Sequence, residues 1–328
     1  MTEVGWSSSK PLTTAAFLTL VEAGTVSLDT PLADVLPEFA VMRVAHEHGS
    51  FPSARPITME HLLTHTSGLT YANASGSRAE RSMAAATADD CSPDGASSLA
   101  EWAARASRAE LASVPGEAWT YGVGIDVIGR VIEVLTGHPL EVALRERLFE
   151  PVGMRDTGFR VAADARHRVA PILRRAEGGR FDVLEVSLEA PPVLSAGGGI
   201  VSTAADYTRF LRMLVNDGQL DGERVLSPDA VLRMRTDRVH RDGSPLPRTG
   251  DISWGTGCGF GLGGRVVRDP HVADYGSPGT YGWDGIAGMT FFVDFEAGRG
   301  ALLVTQVLPW PAHFHEIFRG IVGVNPEK

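Results

Sequence analysis

A serine and a lysine three positions apart, Ser7 and Lys10, are the residues of this sequence best suited to chemistry. On a helix, positions i and i+3 share a face, so the lysine can lie beside the serine hydroxyl. A serine hydroxyl is a weak nucleophile until a neighbouring base removes its proton, and a lysine can serve as that base. The positive end of a helix dipole would also favour developing negative charge. Because Ser-x-x-Lys recurs by chance in many proteins, the spacing needs support from the rest of the chain.

Lysine usage gives the first support. The chain has 30 basic residues, of which only Lys10 and Lys328 are lysines, and Lys328 is the last residue of the sequence. Codon bias with one chance survivor would explain this distribution. A requirement for a residue that can lose its proton, as arginine cannot, explains it as well.

Tyr121 is a second candidate. It lies in a turn, Pro-Gly-Glu-Ala-Trp-Thr-Tyr-Gly-Val-Gly-Ile-Asp at 115–126, which leads into a predicted helix. Its phenol could act as a shared base or as the acid that protonates a leaving group. A half-buried tyrosine packed beside a turn would give the same local pattern. The residues alone leave both interpretations open.

A glycine-rich stretch, Tyr-Gly-Trp-Asp-Gly-Ile-Ala-Gly at 281–288, enters a predicted strand. Backbone amides at such a strand edge can point at an oxyanion, although a simple loop explains the composition equally well.

Three other patterns are rejected. Gly259-x-Gly261-x-x-Gly264 matches a dinucleotide fingerprint, but no helix opens after it. His313-x-His315 lacks the spacing of a zinc-binding helix. The sequence contains no Gly-x-Ser-x-Gly elbow, which argues against the α/β-hydrolase fold. We therefore predict neither a cofactor nor a metal.

The elements that must position these residues divide by type along the chain. Segment 72–98, rich in Ala, Ser, Asp and Gly, predicts a long loop or weak helix. Apolar periodicity predicts helices over 7–23, 99–111, 124–149, 206–215 and 313–322, and another that begins after Thr58 as its cap. Period-2 patterns predict strands over 255–263, where alternate glycines leave one face bare, and over 288–294 and 300–308 as a hairpin.

Helices in the middle of the chain and strands near its end favour an α+β fold. We predict an antiparallel sheet flanked by helices, built from residues 1–30 and 225–328, and a mostly helical domain over 31–224.

Taken in order, five segments resemble the serine β-lactamase-like superfamily, and most closely its class C-related carboxylesterases, the family VIII esterases. Each segment alone is weakly specific, but together they span nearly the whole chain. They are Ser-Ser-Ser-Lys-Pro at 7–11, Ile-Thr-Met-Glu-His-Leu-Leu-Thr-His-Thr-Ser-Gly-Leu at 57–69, Tyr-Gly-Val-Gly-Ile-Asp-Val-Ile-Gly at 121–129, Gly-Gly-Gly-Ile-Val-Ser-Thr-Ala-Ala-Asp-Tyr at 197–207 and Gly-Trp-Asp-Gly-Ile-Ala-Gly-Met-Thr-Phe-Phe-Val-Asp at 282–294.

The resemblance implies a β-lactamase/DD-peptidase-like fold and a role for each matched residue. Ser7 would be the acylated nucleophile, Lys10 its base, and Tyr121 a second base or acid. The third motif, Lys-Thr-Gly in many β-lactamases, maps onto Trp283-Asp284-Gly285. The oxyanion hole would then consist of the backbone N–H groups of Ser7 and Ile286. Family members carry a helix and strands before Ser-x-x-Lys, so N-terminal strands of the sheet are expected to be missing here.

Departures from the family pattern indicate the substrate. Val123 replaces the asparagine of Tyr-x-Asn and cannot hydrogen-bond the amide of a β-lactam side chain. Trp283 replaces a basic residue and cannot pair with a substrate carboxylate. Asp284, if it faces the pocket, would repel anions. All three favour neutral esters.

Composition limits the remaining function classes. A net charge of −10 disfavours nucleic acid as a partner and gives no reason to expect binding to an anionic membrane. No apolar run approaches the ~20 residues of a membrane span, and no secretion signal begins the sequence. The two cysteines, Cys91 and Cys258, lie far apart, which favours a reducing, cytoplasmic location without disulfides.

We therefore predict a serine esterase that hydrolyses small neutral carboxylic esters through an acyl-enzyme on Ser7. Acyl transfer, amide hydrolysis or weak β-lactam turnover at the same site remain alternatives. A catalytically impaired binding protein of the same fold is another, and a homo-oligomer is left open.

Overall fold

The computed structural model describes residues 2–4, 6–87, 96–185, 187–310 and 312–322, and all statements below concern these residues. The helices are α1 (Ser9–Glu22), α2 (Met59–Leu63), α3 (Arg78–Thr87), α4 (Leu99–Ala106), α5 (Gly124–Thr136), α6 (Leu140–Leu144), α7 (Glu150–Val152), α8 (Ala204–Val215), α9 (Pro228–Met234), α10 (Pro270–Ala273) and α11 (Ala312–Val322). The strands are β1 (Thr2–Val4), β2 (Arg43–His46), β3 (Gly49–Pro52), β4 (Trp119–Thr120), β5 (Ile172–Arg175), β6 (Phe181–Leu184), β7 (Val201–Thr203), β8 (Gln219–Leu220), β9 (Glu223–Arg224), β10 (His240–Arg241), β11 (Ser244–Pro245), β12 (Arg248–Thr249), β13 (Cys258–Phe260), β14 (Arg265–Val267), β15 (Tyr281–Asp284), β16 (Thr290–Asp294), β17 (Arg299–Leu303) and β18 (Val307–Leu308).

The largest sheet is antiparallel and has the order β13-β14-β15-β16-β17. Every residue of β16 is buried, because helices cover the sheet, with α8 packed on β16 and β17 and α11 packed on β17. A buried antiparallel sheet with helices against it, together with helices between residues 59 and 152, confirms the predicted α+β class.

Helix α1 is buried around most of its circumference. Polar and apolar side chains alike, from Ser9 to Leu18, are shielded from solvent, since α5 packs against the helix. A 3₁₀ turn, Trp6–Ser8, precedes α1 and contacts β15, so Ser7 lies between the helix and the sheet. The predicted helix over 7–23 is therefore confirmed, apart from this tighter first turn.

The alternating glycines of 255–263 allow neighbouring elements to approach the backbone closely, as predicted. A Cβ at Gly261 would collide with the carbonyl oxygen of Met234, and one at Gly263 would collide with Thr14 of α1. Only Cys258–Phe260 of this stretch forms a strand, which is shorter than predicted.

Several predicted boundaries change. Thr58 caps α2 through a capping box with His61, as expected. The helix predicted over 124–149 is interrupted after Thr136, because Gly137 has φ +69° and ends α5. The predicted second hairpin strand ends at Leu303, and Val307–Leu308 instead pairs in parallel with β5.

Segment 72–98 contains α3 (Arg78–Thr87), and residues 88–95 lie outside the described ranges. Cys91 belongs to that gap, whereas Cys258 is a buried free thiol. None of the described helices has the length and apolar character needed to cross a membrane.

Candidate active site

Ser7 and Lys10 meet as their spacing predicts. Lys10 Nζ lies 3.2 Å from Ser7 Oγ, and the Lys10 side chain is completely buried. Its Nζ also donates to the hydroxyl of Tyr71 at 3.0 Å and to the carbonyl oxygen of Gly197 at 2.8 Å. All three partners of Lys10 Nζ are uncharged oxygens.

Two of these three acceptors were not predicted from sequence as contacts of Lys10. Tyr71 follows the His-Thr-Ser-Gly-Leu segment, and Gly197 lies 187 residues beyond the lysine. Neither residue has a spacing relation to Lys10, so only the tertiary fold brings them together. Tyr71, which was not singled out in the sequence, is the tyrosine that hydrogen-bonds Lys10 directly.

Tyr121 lies in the same site and contacts Lys10 through its ring. Its ring centre is 4.9 Å from Lys10 Nζ, and its hydroxyl accepts a hydrogen bond from the indole N–H of Trp283 at 3.1 Å. The ring of His65 packs on it at 4.6 Å, and Trp119 stacks at 5.7 Å. An N–H donor aimed at the phenolic oxygen stabilises negative charge there, which suits a proton-transfer residue.

His65 supports this aromatic cluster as a neutral ring. Burial, and to a lesser degree the charge of Lys10, lowers the pKa of His65 well below its ordinary value. Its backbone adopts φ +56°, and its carbonyl accepts the N–H of Thr120, next to Tyr121. A non-glycine residue in this conformation costs about 1–3 kcal/mol and marks a place where the surroundings fix the backbone.

The end of β15 supplies the opposite wall. Trp283, Gly285 and Ile286 all border the cavity in front of Ser7. The N–H of Gly285 donates a hydrogen bond to the carbonyl of Met289. By contrast, the backbone hydrogen bonds of the described turn include none from the N–H of Ile286. An unused backbone N–H at this position fits the oxyanion role expected for Ile286.

The expectation that Asp284 repels anions from the pocket needs correction. Its carboxylate accepts a bidentate bond from Arg265, at 2.8 and 3.3 Å, and bonds from Thr290 and Arg319. Burial would raise the pKa of Asp284, but the two guanidinium groups outweigh it and hold the pKa far below its ordinary value. Neighbouring strand residues face opposite sides, so the Trp283 indole contacts Tyr121. Asp284 also borders the cavity, but its charge is neutralised by these partners and does not repel anions.

The expectation that Val123 meets the substrate also needs correction. Val123 is completely buried at the N-terminus of α5 and is absent from the residues that border the cavity. Its replacement of asparagine removes a polar group from this turn, but it places no side chain in the pocket.

The cavity in front of Ser7 has a volume of about 670 Å³. Its mouth is apolar, since Ile252, Ile286 and Trp310 are each roughly half exposed there. In the described chain it is bordered by Trp6, Ser7, Tyr71, Ala72, Tyr121, Ser195, Gly197, Gly198, Gly199, Ile252, Ser253, Trp283, Asp284, Gly285, Ile286 and Trp310. This set contains no lysine, arginine or histidine, so the walls offer no cation to a substrate carboxylate.

Among the described residues, no three His, Cys, Asp or Glu side chains lie close enough together to hold a metal ion. His315, rejected above as a ligand, instead contacts the carbonyl of Gly288 through Nε2 at 2.9 Å.

Known proteins resemble this chain both in sequence and in structure. Esterase EstB of Burkholderia gladioli is 34% identical over 323 residues, covering 92% of this chain and 76% of EstB. Monacolin J acid methylbutanoyltransferase of Aspergillus terreus is 28% identical over 330 residues, covering 93% and 76% of the two chains. The solved structure of EstCE1, described as a hydrolase with promiscuous acyltransferase activity, has a TM-score of 0.81 at 24% identity and covers 98% of this chain and 84% of its own.

The family model named Beta-lactamase matches residues 5–323, a range that includes Ser7, Lys10, Tyr121 and the end of β15. That match and the identity to EstB confirm the predicted family, fold and enzyme class. The chain belongs to the β-lactamase family and is a serine hydrolase of β-lactamase-like fold.

Proposed function

We propose that the protein is a carboxylesterase that cleaves neutral esters through an acyl-enzyme on Ser7. The observation that carries this proposal is the contact between Ser7 and the fully buried Lys10 at the base of an apolar cavity. The predicted roles of Ser7, Lys10, Tyr121 and Ile286 are proposals that this geometry supports.

Acylation begins when Lys10 accepts the proton of Ser7 Oγ. The oxygen then forms a bond to the ester carbonyl carbon, and the carbonyl electron pair moves to its oxygen, where the N–H groups of Ser7 and Ile286 stabilise the charge. Collapse of this tetrahedral intermediate breaks the bond to the alkoxy oxygen. The leaving alcohol takes its proton from Lys10 or Tyr121.

Deacylation repeats the sequence with water. Lys10 or Tyr121 removes a proton as the water oxygen attacks the acyl carbon, and the bond to Ser7 Oγ breaks. The serine regains a proton, and a carboxylic acid leaves. The indole N–H of Trp283, 3.1 Å from the Tyr121 oxygen, would stabilise that oxygen when it carries negative charge.

The substrate class follows from the pocket walls. The absence of a cation among the bordering residues of the described chain supports neutral esters as substrates. Of the three substitutions that favoured neutral esters in the sequence, only Trp283 still supports them. A volume of about 670 Å³ with an apolar mouth also favours hydrophobic esters larger than the small esters predicted from sequence.

The experiment that tests this function compares Ser7→Ala with Ser8→Ala. Ser8 is the adjacent serine, and its buried hydroxyl has no hydrogen-bond partner among the described residues. We expect Ser7→Ala to lose p-nitrophenyl ester hydrolysis and fluorophosphonate labelling by intact mass, and Ser8→Ala to keep both. Full turnover by Ser7→Ala would refute the proposal, and absence of labelling in a folded wild-type protein would favour a binding protein.

Acyl transfer is the second candidate. It is supported by the relationship to the methylbutanoyltransferase and by a cavity of about 670 Å³, which has room for an alcohol beside the acyl group. Product analysis with and without added alcohol distinguishes the two: a new ester at the expense of free acid indicates transfer, and unchanged acid yield indicates hydrolysis. A cytoplasmic location and a homo-oligomer stay predictions.

A further inference from the structure

The shortest hydrogen bond of Lys10 goes to a loop that needs a support of its own. The Gly197 carbonyl accepts from Lys10 Nζ at 2.8 Å, and the loop that carries it, residues 195–199, borders the cavity. Helix α1 holds the ends of this segment, since Thr13 donates to the carbonyl of Ala196 and Ser9 accepts the N–H of Ile200. The first of these bonds holds the planar peptide unit between Ala196 and Gly197 through its carbonyl oxygen, and the N–H of the same unit needs a second partner.

Asp126 holds Gly197 from the side opposite Lys10. One carboxylate oxygen, Oδ1, accepts the N–H of Gly197 at 3.0 Å and the hydroxyl of Ser195 at 2.6 Å. Asp126 is only 5% exposed and lies in the first turn of α5, where the helix dipole favours a negative charge. A Cβ on residue 197 would lie 2.7 Å from Oδ2 of Asp126, so the contact requires glycine.

We propose that Asp126 is a positioning residue that acts on Lys10 through Gly197. Together with Thr13, Asp126 fixes the peptide unit between Ala196 and Gly197 and so positions the Gly197 Cα, from which the carbonyl that accepts from Lys10 Nζ extends; this placement helps to hold Lys10 Nζ on Ser7 Oγ. Asp126 itself does not border the cavity, so it acts on the proton transfer and not on substrate contact. The inference rests on the proposed function, because it assumes that Lys10 takes the Ser7 proton.

The chain offers a matched control in Asp206. Like Asp126, Asp206 lies in the first turn of its helix, α8, and is 7% exposed. It also accepts one backbone N–H, from Asp156 at 2.7 Å, and one hydroxyl, from Thr157 at 2.8 Å. Removal of either carboxylate therefore breaks bonds of the same kind, but only Asp126 is linked to the active site.

The test measures kcat, KM and thermal unfolding of Asp126→Ala, Asp126→Asn and Asp206→Ala with a p-nitrophenyl ester. For Asp126→Ala we expect kcat to fall by about 10²-fold, the effect of a misplacement of ~1 Å, with KM changed by less than about 3-fold. Asp126→Asn keeps an oxygen that can accept both bonds, so we expect it to recover most of kcat. Asp206→Ala should lower Tm to a similar extent as Asp126→Ala and leave kcat unchanged.

Three results would overturn the proposal: wild-type kcat in Asp126→Ala, an equal loss of kcat in Asp206→Ala, or an Asp126→Asn enzyme as slow as Asp126→Ala. Ser7→Ala, measured in parallel, separates this failure from failure of the esterase proposal. If Ser7→Ala is inactive and Asp126→Ala is fully active, only the role of Asp126 is wrong.

Discussion

Neutralising Asp284 should destabilise the fold through the two arginines that it leaves behind. Arg265 is 5% exposed and directs two nitrogens at the carboxylate, while Arg319 connects the same oxygen to α11. Removing one partner of a buried ion pair leaves an uncompensated charge and costs about 3–5 kcal/mol. We therefore expect Asp284→Asn, which keeps the shape and removes the charge, to lose stability in this range.

The control is an aspartate paired at the surface. Asp229 bonds Arg233 one helical turn away, with both side chains largely exposed. Because water and salt screen exposed pairs, Asp229→Asn should cost at most about 1 kcal/mol. Urea unfolding of the wild type and both variants at pH 7 measures the difference. Equal effects of the two substitutions would refute the argument that burial makes the Asp284 pair costly to break.

The pH dependence provides a second readout for Asp284. Its pKa is held below the ordinary value in the folded protein, so the unfolded chain binds a proton first as pH falls. The stability from the pair is therefore complete above the unfolded pKa of about 3.9 and is lost as pH falls below it. The gap between wild type and Asp284→Asn should stay constant from about pH 5 to 8 and narrow in stronger acid, by the same linkage.

Three further predictions concern the site and its support. Burial, followed by the charges of Arg241 and Arg55, lowers the pKa of His61 to about 4. As pH falls from 6.5 to that value, only the unfolded chain binds a proton at His61, so the free energy of unfolding should decrease by up to about 1.4 kcal/mol per pH unit. His61→Gln, which can keep the bond to the Thr58 N–H, should flatten this slope in unfolding curves, and an unchanged slope would contradict the assignment. Trp283→Phe removes the N–H donor to Tyr121 and should lower kcat about 10-fold, whereas an unchanged kcat would show that the bond has no catalytic effect. In a series of esters of rising chain length, kcat/KM should increase up to about 4-fold for each methylene buried in the cavity, and a flat series would contradict a hydrophobic substrate site.

Local periodicity explains what the sequence predicted correctly. Ser7 and Lys10 are three residues apart at the start of a helix, so helical geometry alone brings them together. The cap at Thr58 and the helix over 206–215 likewise follow from side chains adjacent in sequence.

The site residues that were not predicted make contacts between positions far apart in the sequence. Tyr71, Gly197 and Asp126 reach the site through tertiary packing, and no spacing rule connects them with Lys10. The error at Asp284 has a different cause. It stands next to Trp283 in the chain, but alternation along a strand turns the two side chains to opposite sides.

The central claim is that Lys10 is the base for Ser7. Lys10→Arg tests it most directly, because arginine stays protonated and therefore cannot accept the Ser7 proton. The measurement is the rate at which a fluorophosphonate adds to Ser7, followed by intact mass. Loss of a general base should slow labelling by about 10²–10⁴-fold in a variant that stays folded. Labelling of Lys10→Arg at the wild-type rate would contradict the account.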